Sequence, residues 1–244
     1  MAKTRPWTVA PHRALELLAE GLWHLESEML GPPFTRRMVV VRLGSGELVV
    51  HSAIACDEAT MAQIDSLGPV AYLIVPSGYH RMDAPAYGAR YPKAKVLAMP
   101  AAAPRVREVV RVDGGPELLP ADRSLRWEPL AGVPTEGALI HTDPRGEVSV
   151  ALNDAFMNLP DRPPGWRGLV VRAIGSAGGP KVTPIARWFM VKDRAAYAGH
   201  LRRLAALPGI VRVIPSHGDI VDAGAAAALE RAAAQLADAP AVTA

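Results

Sequence analysis

The chain has 244 residues, 50% of them hydrophobic and 21% charged, enough to bury the core of one globular domain of α/β size. Its net charge of +3 is small and its Lys and Arg are scattered rather than run together, which argues against a nucleic-acid-binding face. A single cysteine, Cys56, excludes a disulfide framework and a cysteine-based zinc site; with no apolar run near the ~20 residues of a membrane span and no signal-peptide core, a cytoplasmic protein with neither membrane nor nucleic-acid partner is expected.

Residues 1–20 read as a leader segment, with a helical turn expected over 11–20. Residues 21–26 read as the first strand, Leu22 and His24 alternating against Trp23 and Leu25. A loop over 31–34 leads to a strand over 38–43, a Gly44-Ser45-Gly46 hairpin turn and a returning strand over 47–51. Asp57 is a candidate N-cap for a helix carrying Met61, Ile64 and Leu67 on one face. The apolar run 71–75 is short enough for a buried strand, and Pro76-Ser77-Gly78 breaks it. His80 and Asp83 follow on a loop or first helical turn, then a short helix over 84–91 and a strand over 96–99.

A short helix is expected within 105–113 and strands over 125–130, 138–141 and 148–152, the last two joined by a turn at 143–146. His141 and Asp154 then fall at neighbouring ends of one hairpin. Residues 160–168 read as a proline-rich loop or lid, 169–174 as strand or helix, and 185–190 as an apolar segment. Asp193 caps an amphipathic helix over 193–207 that Pro208-Gly209 stops. A last strand over 210–214 precedes His217, and an Ala-rich helix over 222–236 precedes a tail, 237–244, expected to fray. Residues 21–236 are expected to form one domain.

A hydrolytic metal site needs imidazole nitrogens and carboxylate oxygens converging on one ion with a position left open for water. His80, Asp154 and His217 each follow a short apolar strand and are the candidate ligands, with His141 as an extra one. Each also has a plain structural reading: His80 as a hydrogen-bonded loop residue, Asp154 as a cap, His217 in a tight turn. A lone imidazole holds zinc poorly, so the three stand or fall together. Asp83 and Asp219 are weaker candidates; His24 and His51 read as structural, His12 and His200 as surface residues. The chain has neither a G-x-S-x-G elbow nor a G-x-x-x-x-G-K-[ST] loop.

The order strand, His/Asp-bearing loop, helix and Tyr91-Pro92-Lys93-Ala94-Lys95-Val96 resembles the first metal-binding region of the metallo-β-lactamase fold, and more closely its DUF4336-type branch. There the loop runs P-N-x-x-H-H; here it runs Pro76-Ser77-Gly78-Tyr79-His80-Arg81. Asn153-Asp154-Ala155-Phe156-Met157-Asn158 and Val213-Ile214-Pro215-Ser216-His217-Gly218-Asp219 carry the likeness downstream. The resemblance implies a four-layer αββα sandwich with two mixed sheets and the C-terminal helix outside one of them. Against the superfamily loop H-x-H-x-D-H, His80 takes the second His, leaving Gly78, Met82 and Asp83 where a His, an Asp and a His would stand. Asp154 fits the bridging Asp and His217 the final His. At most one zinc, iron or manganese ion is therefore expected, with Tyr79 and Arg81 as contacts for a small-molecule substrate. Two readings follow: a metal-dependent hydrolase with a degenerate site, or a non-catalytic member binding a small molecule or protein partner in the former cleft.

Overall fold

The computed structural model describes residues 6–29 and 35–237; the loop expected over 31–34, the first five residues of the leader and the tail from 238 lie outside the described residues. The first sheet takes β1 (Glu16–Ala19), β2 (Leu22–Glu28), β3 (Thr35–Arg42), β4 (Leu48–His51), β5 (Val70–Ile74) and β6 (Lys95–Leu97) in that order. It is antiparallel as far as β4 and parallel from β4 to β6. The second sheet takes β7 (Leu125–Leu130), β8 (Val133–Thr142) and β9 (Val148–Leu152) as an antiparallel meander. After these, β10 (Met157–Leu159) and β11 (Gly179–Lys181) pair as a separate ribbon, and β12 (Ile210–Pro215) joins the second sheet parallel to β9.

Period-two alternation divides the interior into three apolar layers. Met38 and Val40 of β3 and Leu48 and Val50 of β4 face outward, where they meet Met61 and Ile64 of α1 (Glu58–Leu67), Tyr87 of α2 (Ala84–Arg90) and Val106 of α3 (Ala103–Val106). Val39, Val41 and Val49 face inward against Leu139, Ala151 and Ile214 of the second sheet. Val150 and Leu152 of β9 point the opposite way, onto Tyr197 and Leu201 of α6 (Arg194–Ala205) and Leu229 of α7 (Ala225–Ala237). Helix, sheet, sheet, helix is the four-layer sandwich expected. Two further helices, α4 (Gly165–Ala173) and α5 (Pro184–Phe189), lie between β10 and α6 in the chain. Among the described residues no helix is long and apolar enough to cross a membrane.

The N-cap roles of Asp57 and Asp193 are as read: each carboxylate accepts from a backbone N–H three residues on, at 2.8 and 2.9 Å. Other expectations change. Residues 16–19 are a strand, not part of a helical turn, because pairing with β2 across the turn at Gly21 outweighs local propensity. The short helix begins at Ala103 rather than after Arg105, whereas 169–174 takes the helical one of its two expected forms, mainly within α4. The strand expected over 138–141 starts at Val133. His141 and Asp154 lie at opposite ends of the β8–β9 hairpin: His141 pairs with Ser149 beside the turn, whereas Asp154 follows Leu152 at the open end.

Candidate metal centre

Three loops meet where β5, β9 and β12 end, and they bring His80, Asp154 and His217 together. His80 Nε2 lies 3.1 Å from Asp154 Oδ1, His217 Nε2 lies 3.0 Å from the same oxygen, and the two Nε2 atoms are 3.0 Å apart. All three residues are buried. The rings meet edge to face, with centroids 5.0 Å apart. His141 is not part of this group; it lines a surface cavity of about 510 Å³ with Glu20, Arg42 and Arg123. That removes it from the expected ligand set, for the register reason given above.

The backbone aims these side chains. Ser77 Oγ accepts from the N–H groups of Tyr79 and His80 at 3.2 and 3.3 Å, which curls the loop after β5 and turns His80 inward. Ser52, at the end of β4, has φ +58°, the one positive φ outside glycine among the described residues. Such a conformation costs roughly 1–2 kcal/mol, and it places Ser52 Oγ 3.0 Å from His80 Nδ1. After β12, Gly218 has φ +85°, and a Cβ there would stand 1.9 Å from the Asn158 carbonyl oxygen. Only glycine fits this turn, which sets the position of His217.

A layer of buried polar groups holds the trio from behind. His217 Nδ1–H donates to the Thr35 carbonyl at 2.5 Å, so Nε2 faces the centre: as a lone pair when the ring is neutral, and as an N–H donor to Asp154 Oδ1 at 3.0 Å when it is protonated. Asn153 joins the loops, donating from Nδ2 to Ser77 Oγ at 3.4 Å while its Oδ1 accepts from Ser216 Oγ. Glu136, fully buried in β8, accepts from the N–H groups of Asp154 and Ala155 at 3.2 and 3.0 Å.

Burial by itself would raise the Asp154 carboxyl, but the charges and hydrogen bonds of His80 and His217 outweigh it and hold it well below the usual carboxylate range. Burial lowers the His217 imidazole, but the hydrogen bond to Asp154 outweighs that and the ring is raised above its ordinary value. Glu136 is pushed far up, by burial first and then by the charge of Asp154. The negative charge is thus concentrated on Asp154.

The donor set fits a divalent cation. Two imidazole Nε2 atoms and a carboxylate oxygen at 3.0–3.1 Å need a positive charge among them, which a proton on an imidazole or a bound metal ion would supply. Zinc binds such atoms at about 2.0–2.2 Å, and a tetrahedral ion separates its ligands by roughly 3.3 Å, close to this triangle. The positions that would enlarge the site are taken. A Cβ on Gly78 would meet the Arg105 side chain at 2.6 Å, so Arg105 fills the space of a larger residue there. Asp83 turns away into a buried ion pair with Arg36 and accepts from the Ala55 N–H at 3.0 Å. Arg81 binds Glu108 at 2.7 Å and the Arg105 carbonyl, not Asp83 or Asp154. Tyr79 is 59% exposed, with the Arg105 guanidinium 4.4 Å from its ring centre.

Residues 23–102 match the model of a family described as a domain of unknown function, DUF4336. The fold is that of metallo-β-lactamase crystal structures. The chain is 17% identical to the metallo-β-lactamase from Erythrobacter litoralis crystallised with β-mercaptoethanol in the active site, with TM-score 0.59 over 91% of this chain and 96% of that one. It is 11% identical to the metallo-β-lactamase FIM-1 from Pseudomonas aeruginosa in its mono-zinc form, with TM-score 0.62 over 95% and 98% of the two chains. The chain has the metallo-β-lactamase fold, and its residues 23–102 resemble the DUF4336 domain. The metallo-β-lactamase from Pontibacter korlensis is similar again, at 11% identity and TM-score 0.56 over 90% and 98%. No curated protein matches the chain in sequence.

Within this metallo-β-lactamase fold, Glu136, Ser52 and Ser77 are the residues that sequence reasoning passed over. Glu136 had a signal: it shares the helix-facing parity of Ala138 and Ile140, so a strand drawn two residues longer would bury a carboxylate. Ser52 had none, since its role rests on a backbone angle.

Proposed function

We propose that the protein is a metal-dependent hydrolase with a mononuclear centre, in which His80, Asp154 and His217 hold one zinc, iron or manganese ion. The observation that supports this most is the convergence of His80 Nε2, His217 Nε2 and Asp154 Oδ1 within 3.1 Å, with His217 held by its Nδ1–H bond to Thr35 so that Nε2 faces the other two. A bound divalent ion supplies Lewis-acid polarisation and activates water. The chain's own part is to hold the three donors, keep Asp154 ionised in a buried site, and present Tyr79 beside the loop of His80 as a contact for a small-molecule substrate. The setting we infer is cytoplasmic.

A second reading has its own support. Arg105 against Gly78 and Arg36 on Asp83 close the positions that a binuclear centre would use, which also suits a non-catalytic protein that binds a small molecule or a protein partner in the cleft. Metal analysis of protein purified without a histidine tag separates the two. The hydrolase reading expects one equivalent of zinc, iron or manganese per chain, lost in His217→Ala. Cys56→Ala leaves the metal in place, because the thiol is buried and pushed up to about 12, chiefly by that burial. Two tight equivalents would sink the mononuclear centre; no bound metal after zinc titration would leave the non-catalytic reading.

A further inference from the structure

Seven of the ten large hydrophobic side chains that stand exposed among the described residues lie between Trp166 and Phe189. On α4 they are Trp166, Leu169 and Val170, with Ile174 just past its end, one helical stripe at i, i+3, i+4 and i+8. On α5 they are Ile185, Trp188 and Phe189, again a helical stripe. The stripes run the wrong way for a core: Val171 and Ala186 face inward, while Trp166, Trp188 and Phe189 are 72%, 60% and 73% exposed. The two helices adjoin, since a Cβ on Gly175 at the end of α4 would lie 3.4 Å from Pro184 of α5.

The charge of the same segment is equally one-sided. Residues 162–192 hold six Lys and Arg and no Asp or Glu, so the rest of the chain is net acidic by three. Arg162, Arg172 and Arg187 form no ion pair among the described residues. Protruding Trp, Phe and Leu on a segment that also carries Arg162, Arg172 and Arg187 are the make-up of a helix that lies in the headgroup region of a lipid bilayer. A second copy is disfavoured as the cover, because a twofold contact would set one six-charge segment against another.

Against the expectation from the sequence of no membrane partner, we propose that α4 and α5 form a docking surface for an anionic lipid bilayer. The surface is joined to the candidate metal centre through β10, which lies three residues after Asp154 and whose Asn158 N–H donates to the His217 carbonyl at 3.1 Å. A bilayer on this face would therefore lie beside the loops of Asp154 and His217. The proposal stands whether or not those residues hold a metal.

The test is sedimentation of the full chain with vesicles of phosphatidylcholine alone and of phosphatidylcholine mixed with phosphatidylglycerol. The parent protein is expected to pellet with the mixed vesicles, to do so less at high salt, and to stay in solution with phosphatidylcholine alone. The variant W166S/L169S/W188S/F189S should bind about tenfold more weakly or less, with its fold checked by circular dichroism. R162E/R172E/R187E changes charge alone and serves if that variant does not fold; it should also lose binding. No sedimentation with the mixed vesicles at low salt, or equal binding by both variants, overturns the proposal. So does a parent dimer in analytical ultracentrifugation that the apolar variant abolishes while vesicles capture nothing, which assigns the face to self-association.

Discussion

Two imidazole nitrogens and a carboxylate oxygen are drawn within 3.1 Å of one another, and the residues around them limit what could be added to the cluster. Gly78 is the most instructive. In the metallo-β-lactamase pattern its position carries a histidine, which suggests that Gly78→His would restore a lost ligand. The structure indicates otherwise. The Cβ of any residue there meets Cδ of Arg105 at 2.6 Å, and Arg105 is itself seated on the Tyr79 ring at 4.4 Å. The new imidazole would have to displace a guanidinium, and overpacking of this kind costs about 1–3 kcal/mol. We expect Gly78→His to lower stability by that amount in urea unfolding and to leave metal stoichiometry at or below one per chain. A variant that gains a second tight equivalent would show that Arg105 moves aside without penalty.

At the scale of the element, the helix α6 shows how a histidine that looks solvated becomes a structural group. Its apolar residues Tyr197, Leu201 and Leu204 mark the buried face, and His200 is only 4% exposed beside them. His200 Nδ1 accepts from the Ala131 N–H at 3.1 Å, so the proton of the neutral ring is on Nε2, 3.5 Å from Glu128 of β7. Arg203, one turn along α6, reaches the same carboxylate at 2.9 Å. Together they pin α6 to β7 and bring Glu128 down from 4.5 to about 2, His200 contributing most. The unfolded chain takes up this proton near 4.5 while the folded chain resists it, so stability is present above 4.5 and is lost as pH falls from there towards 2. Glu128→Gln should flatten that part of the pH–stability curve and leave stability at neutral pH lower than the parent's; parallel curves for the two proteins would exclude the pair as a source of acid sensitivity. The helix and its Asp193 cap were legible in the sequence because spacing of three and four is a local signal. The fate of His200 was not, because its partners Glu128 and Ala131 are about seventy residues away. The same division runs through the site. His80, Asp154 and His217 could be picked out because each follows an apolar strand, whereas the placing of His141 at the far end of its hairpin depended on where β8 begins and ends, a matter of pairing register.

Across the whole molecule, three apolar layers are built from two sheets, and the middle one belongs to neither half alone. Val39, Val41, Val49 and Ile74 come from the first sheet; Trp127, Leu139, Ala151 and Ile214 come from the second. The trio is assembled over this shared layer: His80 follows β5 of one sheet, Asp154 and His217 follow β9 and β12 of the other. Loss of the middle layer therefore separates the three side chains as well as the sheets. Leu139 is 2% exposed at the centre of β8, its Cα paired with Trp127 on one side and Ala151 on the other. Removing three of its carbons leaves a cavity between two backbones that hydrogen bonding holds in place, and such Leu→Ala changes cost about 2–5 kcal/mol. We expect Leu139→Ala to fall in this range in urea unfolding. We also expect unfolding, followed by far-ultraviolet circular dichroism and by tryptophan fluorescence, to remain a single coincident transition, with the outer helices of both halves lost together. Two separated transitions, with only one shifted by the substitution, would mean that each sheet stands on its own outer helices and that the middle layer joins two units already folded.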